Sequence, residues 1–140
     1  AERLAAWEAA RTATARVEQE IGQRLVDERN MELSSYDVLA HLLRAGGRLR
    51  MHELAEAMVL SRSTTTRMCD RLEASGWVRR ERPAQDGRAV YLILTREGRE
   101  QYRRCQPAYE RFVNDAFGRH LNDTEVATLS RIVGKLSPAP

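Results

Sequence analysis

Arginine, serine and threonine side chains cluster in the middle of the chain, where they could bind the phosphates and base edges of a nucleic acid. Residues 61–91 contain seven arginines and four acidic residues, a net charge of +3. The whole 140-residue chain also carries +3, so the residues outside this segment sum to zero. Arginine clustering of this kind indicates a polyanionic partner. A solvated charged face without a partner is the alternative.

A helix and a hairpin are predicted to hold this cluster. Ser61 can cap the helix RSTTTRMCDRLEASG, whose Thr65, Met68 and Leu72 form one apolar face. After Gly76 the apolar period changes to two, which predicts strands over residues 77–82 and 89–94. The PAQDGR segment between them supplies turn residues, so the tip of the hairpin is basic and its return strand is apolar.

Two helical patterns precede the cluster. Apolar residues recur every three or four positions from Leu4 to Leu25, which predicts a helix of about six turns, too long for one small domain to cover. Ser34 can cap a shorter helix that ends at the glycines 46–47. A further helical pattern follows in MHELAEAMVL.

Two helical patterns follow the hairpin. Thr95 can cap the first, and Pro107 is predicted to kink or break it, because proline lacks the amide donor and clashes with the preceding turn. Asn122 and Glu125 form a predicted capping box for the last helix, whose apolar face runs from Leu129 to Leu136. The predicted fold class is mainly α with a small β-wing: a winged helix-turn-helix domain flanked by terminal dimerisation helices.

The predicted geometry places the third helix of the motif in a DNA major groove, with the hairpin on the backbone or minor groove. Arginine can bond a guanine edge with two hydrogen bonds, and serine or threonine reaches bases or phosphates. The candidate DNA-binding residues are Ser61, Arg62, Ser63, Thr64, Thr66, Arg67, Arg71, Arg82, Asp86 and Arg88. For Arg71 and Arg82, an ion pair with Asp70 or Glu73 inside the domain is an equal alternative.

The segments ELAEAMVLSRSTTTRMCDRLEASGWVRR and DGRAVYLILTREG resemble the MarR family of bacterial transcription regulators. The resemblance extends over nearly the whole chain. It implies a single domain, 1–140, in which residues 1–30 and 96–140 form dimerisation helices and residues 34–94 form the DNA-binding lobe. It also implies a cytoplasmic homodimeric repressor on an inverted-repeat operator in double-stranded DNA.

The resemblance also implies roles for individual residues. Ser63, Thr66 and Arg67 would face the major groove, with Arg62 near the start of the helix. Arg88 would enter the minor groove from the tip of the wing, and Asp86 would brace that tip. Gly87 stands where the family often has a second arginine, so each wing carries one cation at this point.

A small effector is a further expectation, since the family often binds one between the dimerisation region and the DNA-binding lobe. Aromatic and basic side chains suit an anionic aromatic molecule. The candidates are Trp7, Arg11, Tyr36, His41 and Arg44. The alternative is that these side chains pack in the dimer interface.

Other classes of function find little support in the sequence. Cys69 lies on an apolar helix face, which favours a packed thiol over a redox sensor, and the scattered histidines give no metal-ligand spacing. We expect no cofactor and no membrane span. No catalytic triad, phosphate-binding glycine loop or paired carboxylates are found, so we expect no enzyme. A winged-helix module that binds protein instead of DNA is the remaining alternative.

Overall fold

The computed structural model describes residues 1–85 and 87–137. Within these residues, six helices and three short strands follow one another. They are α1 (Glu2–Arg29), α2 (Leu33–Arg44), β1 (Arg48–Arg50), α3 (Met51–Met58), α4 (Arg62–Ala74), β2 (Val78–Glu81), β3 (Tyr91–Leu94), α5 (Arg96–Ala116) and α6 (Asp123–Gly134). One 3-10 turn, Gly118–His120, lies between the last two helices. The predicted class, mainly α with a small β-wing, is confirmed.

The strands form one antiparallel sheet in the order β1-β3-β2. The predicted hairpin is present, although both strands are shorter than the sequence pattern suggested. Val78 lies opposite Leu94 and Glu81 opposite Tyr91, so the ladder ends before the basic tip. Strand β1 was not predicted, because it is only three residues long. It lies opposite β3, with Leu49 facing Leu92 across the ladder.

The core lies where α2 is surrounded by α1, α5, α4 and the sheet. Leu39 and Leu42 of α2 are fully buried, as are Leu25 of α1, Leu92 of β3 and Phe112 of α5. Each element contributes one apolar face, as the helical and strand periodicities predicted. This core fixes α4 and the hairpin on the same side of the domain.

Most of the predicted helix caps are confirmed. Ser61 accepts a hydrogen bond from the Thr64 amide, and Asn122 and Glu125 form the predicted capping box. The cap predicted at Ser34 is wrong, because α2 already begins at Leu33 and its first residue follows Glu32, whose side chain makes no cap bond. An extended Glu32 backbone therefore turns the chain into α2 without help from a side chain.

The break predicted at Pro107 does not occur, since α5 continues through it. Proline removes the hydrogen bond to the carbonyl four residues earlier, at Arg103. Both residues are exposed, so water can satisfy that carbonyl. An uninterrupted α5 can pack along α1.

The start of α5 is joined closely to the start of the hairpin. Thr95 caps the helix at the Gly98 amide, and its hydroxyl donates to the Gly76 carbonyl oxygen at 2.7 Å. A Cβ on Gly98 would overlap the carbonyl oxygen of Trp77 and lie 2.7 Å from Leu94 Cδ1. The LTREG segment therefore needs glycine at this position because another backbone passes against it.

The terminal helices expose much of their apolar surface in the single chain. Leu4 and Trp7 are each 59% exposed, whereas Ile21 and Leu25 at the other end of α1 are buried. Every residue of α6 is exposed, including Ile132 and Val133. The first part of the predicted α1 stripe and the whole apolar face of α6 are thus uncovered, whereas the end of the α1 stripe packs in the core.

Candidate nucleic-acid interface

Helix α4 presents one buried and one exposed face, as its sequence predicted. Thr65, Met68 and Leu72 are buried against the core. Thr66 and Arg67 are exposed on the opposite side. The Ser61 cap fixes the start of the helix, so its first two turns project a defined set of polar side chains.

A groove of about 610 Å³ separates α4 from the hairpin. Its walls come from the start of α3, the first turns of α4 and the two arms of the hairpin. Its lining includes Arg50, Arg62, Arg80, Arg82 and Arg88, together with His52 and Asp70. Among the described residues, this lining holds five arginines and one carboxylate, and such an excess of basic groups suits a phosphodiester strand.

The guanidinium groups of three predicted DNA-binding arginines make no hydrogen bond or ion pair within the described residues. Arg62 and Arg82 line the groove, and Arg67 lies on the flank of α4 that faces away from it. Arg88 also lines the groove. The predicted brace of the wing, Asp86, lies outside the described residues.

The acidic residues of α4 are bound by an arginine that was not among the predicted DNA-binding residues. Arg80 Nη2 lies 2.7 Å from Asp70 Oδ1, and its Nη1 lies 3.0 Å from Glu73 Oε1. The pairs considered for Arg71 and Arg82 are therefore absent. Arg71 instead lies 3.8 Å from Glu32, before α2, because its side chain leaves α4 on the flank away from the hairpin.

The hydroxyl groups at the start of α4 bond to one another and to the helix backbone. The Ser61 hydroxyl lies 2.9 Å from that of Thr64 and 3.2 Å from that of Ser63. The Thr66 hydroxyl donates to the Arg62 carbonyl oxygen at 2.9 Å. Each oxygen retains acceptor capacity, so these residues stay candidates for DNA contacts with their rotamers already ordered.

A second cluster lies at the junction of α1, α2 and α5. Tyr36 stacks on Tyr102, with 5.1 Å between ring centroids, and lies 4.3 Å from the Tyr109 ring. Burial raises the pKa of Tyr36 and Tyr109, so both hydroxyls remain protonated at neutral pH. The sequence analysis selected Tyr36 alone, although the seven-residue spacing of the other two places them on one helix face.

Two titratable groups of α2 belong to this junction. Burial raises the pKa of Asp37 to about 6, with a further rise from Glu18 and an opposing effect of Arg44. Burial lowers the pKa of His41, and Arg44 lowers it further. His41 is therefore neutral at pH 7, as expected of a partly buried imidazole beside a cation.

The five predicted effector residues do not form one cavity in the single chain. The concave surface at Trp7 and Arg11 is lined by α1 residues alone. Arg11 lies over the Trp7 ring, with 5.6 Å from its guanidinium carbon to the ring centroid. Tyr36, by contrast, is buried between α2 and α5.

Both cysteines are buried, and burial raises the pKa of each, that of Cys69 to about 11. Cys69 is therefore a packed thiol with little thiolate character, as predicted. Within residues 1–85 and 87–137, no group of three His, Cys, Asp or Glu could hold a metal ion. None of the described helices is both long enough and apolar enough to cross a membrane.

An exposed, capped helix on a compact helical core, flanked by an arginine-lined groove and a hairpin, defines a winged helix-turn-helix protein. A family model described as MarR family matches residues 29–89. Sco3205, a MarR family transcriptional regulator from Streptomyces coelicolor solved in complex with DNA, is 32% identical, with a TM-score of 0.88. The match covers 96% of this chain and 85% of that one. The chain belongs to the MarR family.

Two further relatives support this assignment. AbsC, another MarR family transcriptional regulator from Streptomyces coelicolor, is 25% identical, with a TM-score of 0.86 and coverage of 95% of this chain and 90% of that one. The transcriptional repressor MprA of Escherichia coli strain K12 is 34% identical over 84 residues, or 60% of this chain and 47% of that protein. The chain spans about half the length of the curated relatives it matches.

Proposed function

We propose that this chain is a sequence-specific DNA-binding transcriptional repressor that acts as a homodimer on an inverted-repeat operator. The observation that carries the proposal is the arginine-lined groove beside the exposed face of α4. Similarity to Sco3205, which was solved in complex with DNA, supports the same conclusion. We infer no catalytic role for the chain.

The groove separates two parts of the proposed interface. Helix α4 enters the major groove, and the tip of the wing enters the adjacent minor groove. The phosphodiester strand between the two grooves then passes between α4 and the wing, along Arg62 and Arg82. Arg67 reads base edges, and Arg88 meets the narrow minor groove, whose negative potential attracts arginine.

The proposed dimer is held together by residues 1–30 and 96–140, and the lobe over residues 34–94 reads DNA. The exposed apolar side chains of α1 and α6 support this division, since contiguous apolar surface usually marks an interaction site. Two-fold symmetry would place the two α4 helices in successive major grooves on one face of the duplex.

Selection from a random duplex pool by the purified chain tests this function. We expect enrichment of an inverted repeat with half-sites about 10 base pairs apart, one helical turn. Affinity for the enriched duplex should fall steeply with salt, because bound arginines release counterions from the phosphates. Failure to enrich any sequence over the starting pool contradicts the proposal. A salt-independent protein ligand would instead favour a winged-helix module that binds protein.

We also propose a small anionic aromatic effector at the junction of α1, α2 and α5. The rings of Tyr102 and Tyr109, which pack on the buried Tyr36 and are partly exposed, offer an aromatic surface, and Arg44 supplies a positive charge near Tyr109. Benzoate is a suitable probe, and we expect it to raise the unfolding temperature and release the selected duplex. Arg44→Gln should abolish both effects if the site lies at this junction. If Arg11→Gln abolishes the two benzoate effects and Arg44→Gln does not, the site lies on α1. If benzoate has neither effect on the wild type, the proposed effector is contradicted.

A further inference from the structure

Arg80 connects the first strand of the hairpin to three successive turns of α4. Its Nη2 lies 2.7 Å from Asp70 Oδ1 in an ion pair and donates a hydrogen bond to the Thr66 carbonyl oxygen at 3.2 Å. Its Nη1 donates to Glu73 Oε1 at 3.0 Å, and its backbone amide donates to Glu73 Oε2 at 2.9 Å. Only 20% of the Arg80 side chain is exposed.

The adjacent arginine of the same strand is bound very differently. The Arg79 side chain is 60% exposed and contacts Glu81 of its own strand at 3.3 Å. Because successive side chains of a strand point to opposite faces, Arg79 lies on the outer face of the sheet and Arg80 on the face toward α4. Of these two neighbouring arginines, Arg80 alone links the hairpin to α4, and Arg79 is an exposed control on the same strand.

The planar guanidinium is suited to this link. Its fixed fork of five N–H donors can bond two carboxylates and a carbonyl oxygen at once, whereas the single ammonium of lysine cannot match that arrangement. Asp70, Thr66 and Glu73 lie on the side of α4 that faces the hairpin. The bonds therefore restrict both the separation and the angle between the strand and the helix.

We propose that Arg80 is a positioning residue that holds the wing at a fixed angle to α4, so that the DNA contact of Arg88 depends on it. This inference rests on the proposed DNA binding. A wing that moves relative to α4 would lose conformational freedom on binding, which reduces the net gain from its tip. Arg80 thus acts through Arg88 and need not touch DNA itself.

A double-mutant cycle tests this dependence. Arg80→Lys keeps the charge but loses the fork, and Arg79→Lys makes the same change on the outer face of the strand. Each is combined with Arg88→Ala and titrated against the duplex selected above. We expect Arg88→Ala to weaken binding about tenfold in the wild type and in Arg79→Lys, but less than about threefold in Arg80→Lys. An equal loss in all three backgrounds overturns the inference.

Amide hydrogen exchange provides a readout that does not depend on DNA. The quantity compared is the ratio of amide exchange rates in the β2–β3 ladder to those in α4. We expect Arg80→Lys to raise this ratio and Arg79→Lys to leave it unchanged. If Arg80→Lys does not fold by circular dichroism, Glu73→Gln takes its place with a smaller expected effect. This change keeps the shape of the side chain but loses the charge and replaces one of the two acceptor oxygens by an NH2 donor. Unchanged exchange in the folded variant overturns the inference. Equal affinity of the wild type for selected and scrambled duplexes contradicts the proposed function alone.

Discussion

The winged lobe and the terminal helices differ in which side chains they leave in water. In the lobe, apolar residues such as Leu54 and Leu92 are fully buried, and the exposed surface is rich in arginine. In the terminal helices, Trp7 is 59% exposed and Val133 is 48% exposed. The surface of the lobe therefore suits a polyanion, whereas that of the terminal helices suits a second apolar surface. The proposed dimer on DNA uses both.

The largest expected effect comes from removing the apolar surface of α1. Deleting residues 1–20 should cause aggregation or unfolding, because obligate homodimers often have no stable folded monomer. Ile132→Glu with Val133→Glu should dissociate the dimer, whereas Ala127→Glu on the opposite side of α6 should not. Light scattering measures both outcomes. A full-length chain that is a monodisperse, folded monomer at micromolar concentration contradicts the proposed dimer.

The next effect, on stability, concerns Gly98, where α5 begins against the hairpin. Gly98→Ala should lower the free energy of unfolding by about 3 kcal/mol, because the new methyl group meets the Trp77 carbonyl and the Leu94 side chain. Gly22→Ala is the matched control, since a Cβ there makes ordinary contact with Leu33 at 3.6 Å inside α1. That change should be neutral or stabilising by up to about 1 kcal/mol. Urea unfolding of both variants decides whether the close approach at Gly98 matters.

A smaller expected effect, on DNA affinity, distinguishes an arginine that contacts bases from one that attracts any duplex. Arg67→Ala should reduce discrimination between the selected and a scrambled duplex by about 1 to 3 kcal/mol, the range for a good two-bond base contact. Affinity for the scrambled duplex should change much less. Arg88→Ala, by contrast, should weaken both duplexes together and flatten the salt dependence. Equal weakening of both duplexes by Arg67→Ala would show that it contacts phosphate only.

The smallest effect is a pH dependence at the junction of the two regions. The pKa of Asp37 is raised from 3.8 to about 6, with Glu18, Arg44 and Tyr109 nearby. The folded state therefore holds this proton more tightly than the unfolded state, so stability falls as pH rises from about 4 to about 6. We expect a loss of about 1 to 2 kcal/mol, because partial solvent contact reduces the full linkage value. Asp37→Asn should remove it, and the exposed Asp27→Asn should not.

The helices were predictable because each carries its own local signals. The Ser61 cap and the spacing of Thr65, Met68 and Leu72 identify α4 without knowledge of the rest of the fold. Strand β1 carries no such signal, since three residues are too few to show a period. It becomes a strand because β3 offers it a partner, which is a tertiary effect.

The sequence predicted which residue types form the candidate site, but not which side chains contact one another. Arg80 looks no different from Arg79 or Arg82 in the sequence, and only the fold brings it against the carboxylates of α4. Likewise, Tyr36 was selected by its chemistry, but its stacking partners lie about 70 residues away on α5. Contacts between distant elements follow from packing, which local periodicity does not encode.

In the proposed complex, the two α4 helices of the dimer each read one half of a single DNA site. Insertion of about five base pairs between the half-sites of the selected duplex turns one half-site to the opposite face of the helix. We predict that affinity for the inserted duplex then falls toward that of a scrambled duplex, in titrations at matched salt concentration. Unchanged affinity after the insertion would contradict the claim.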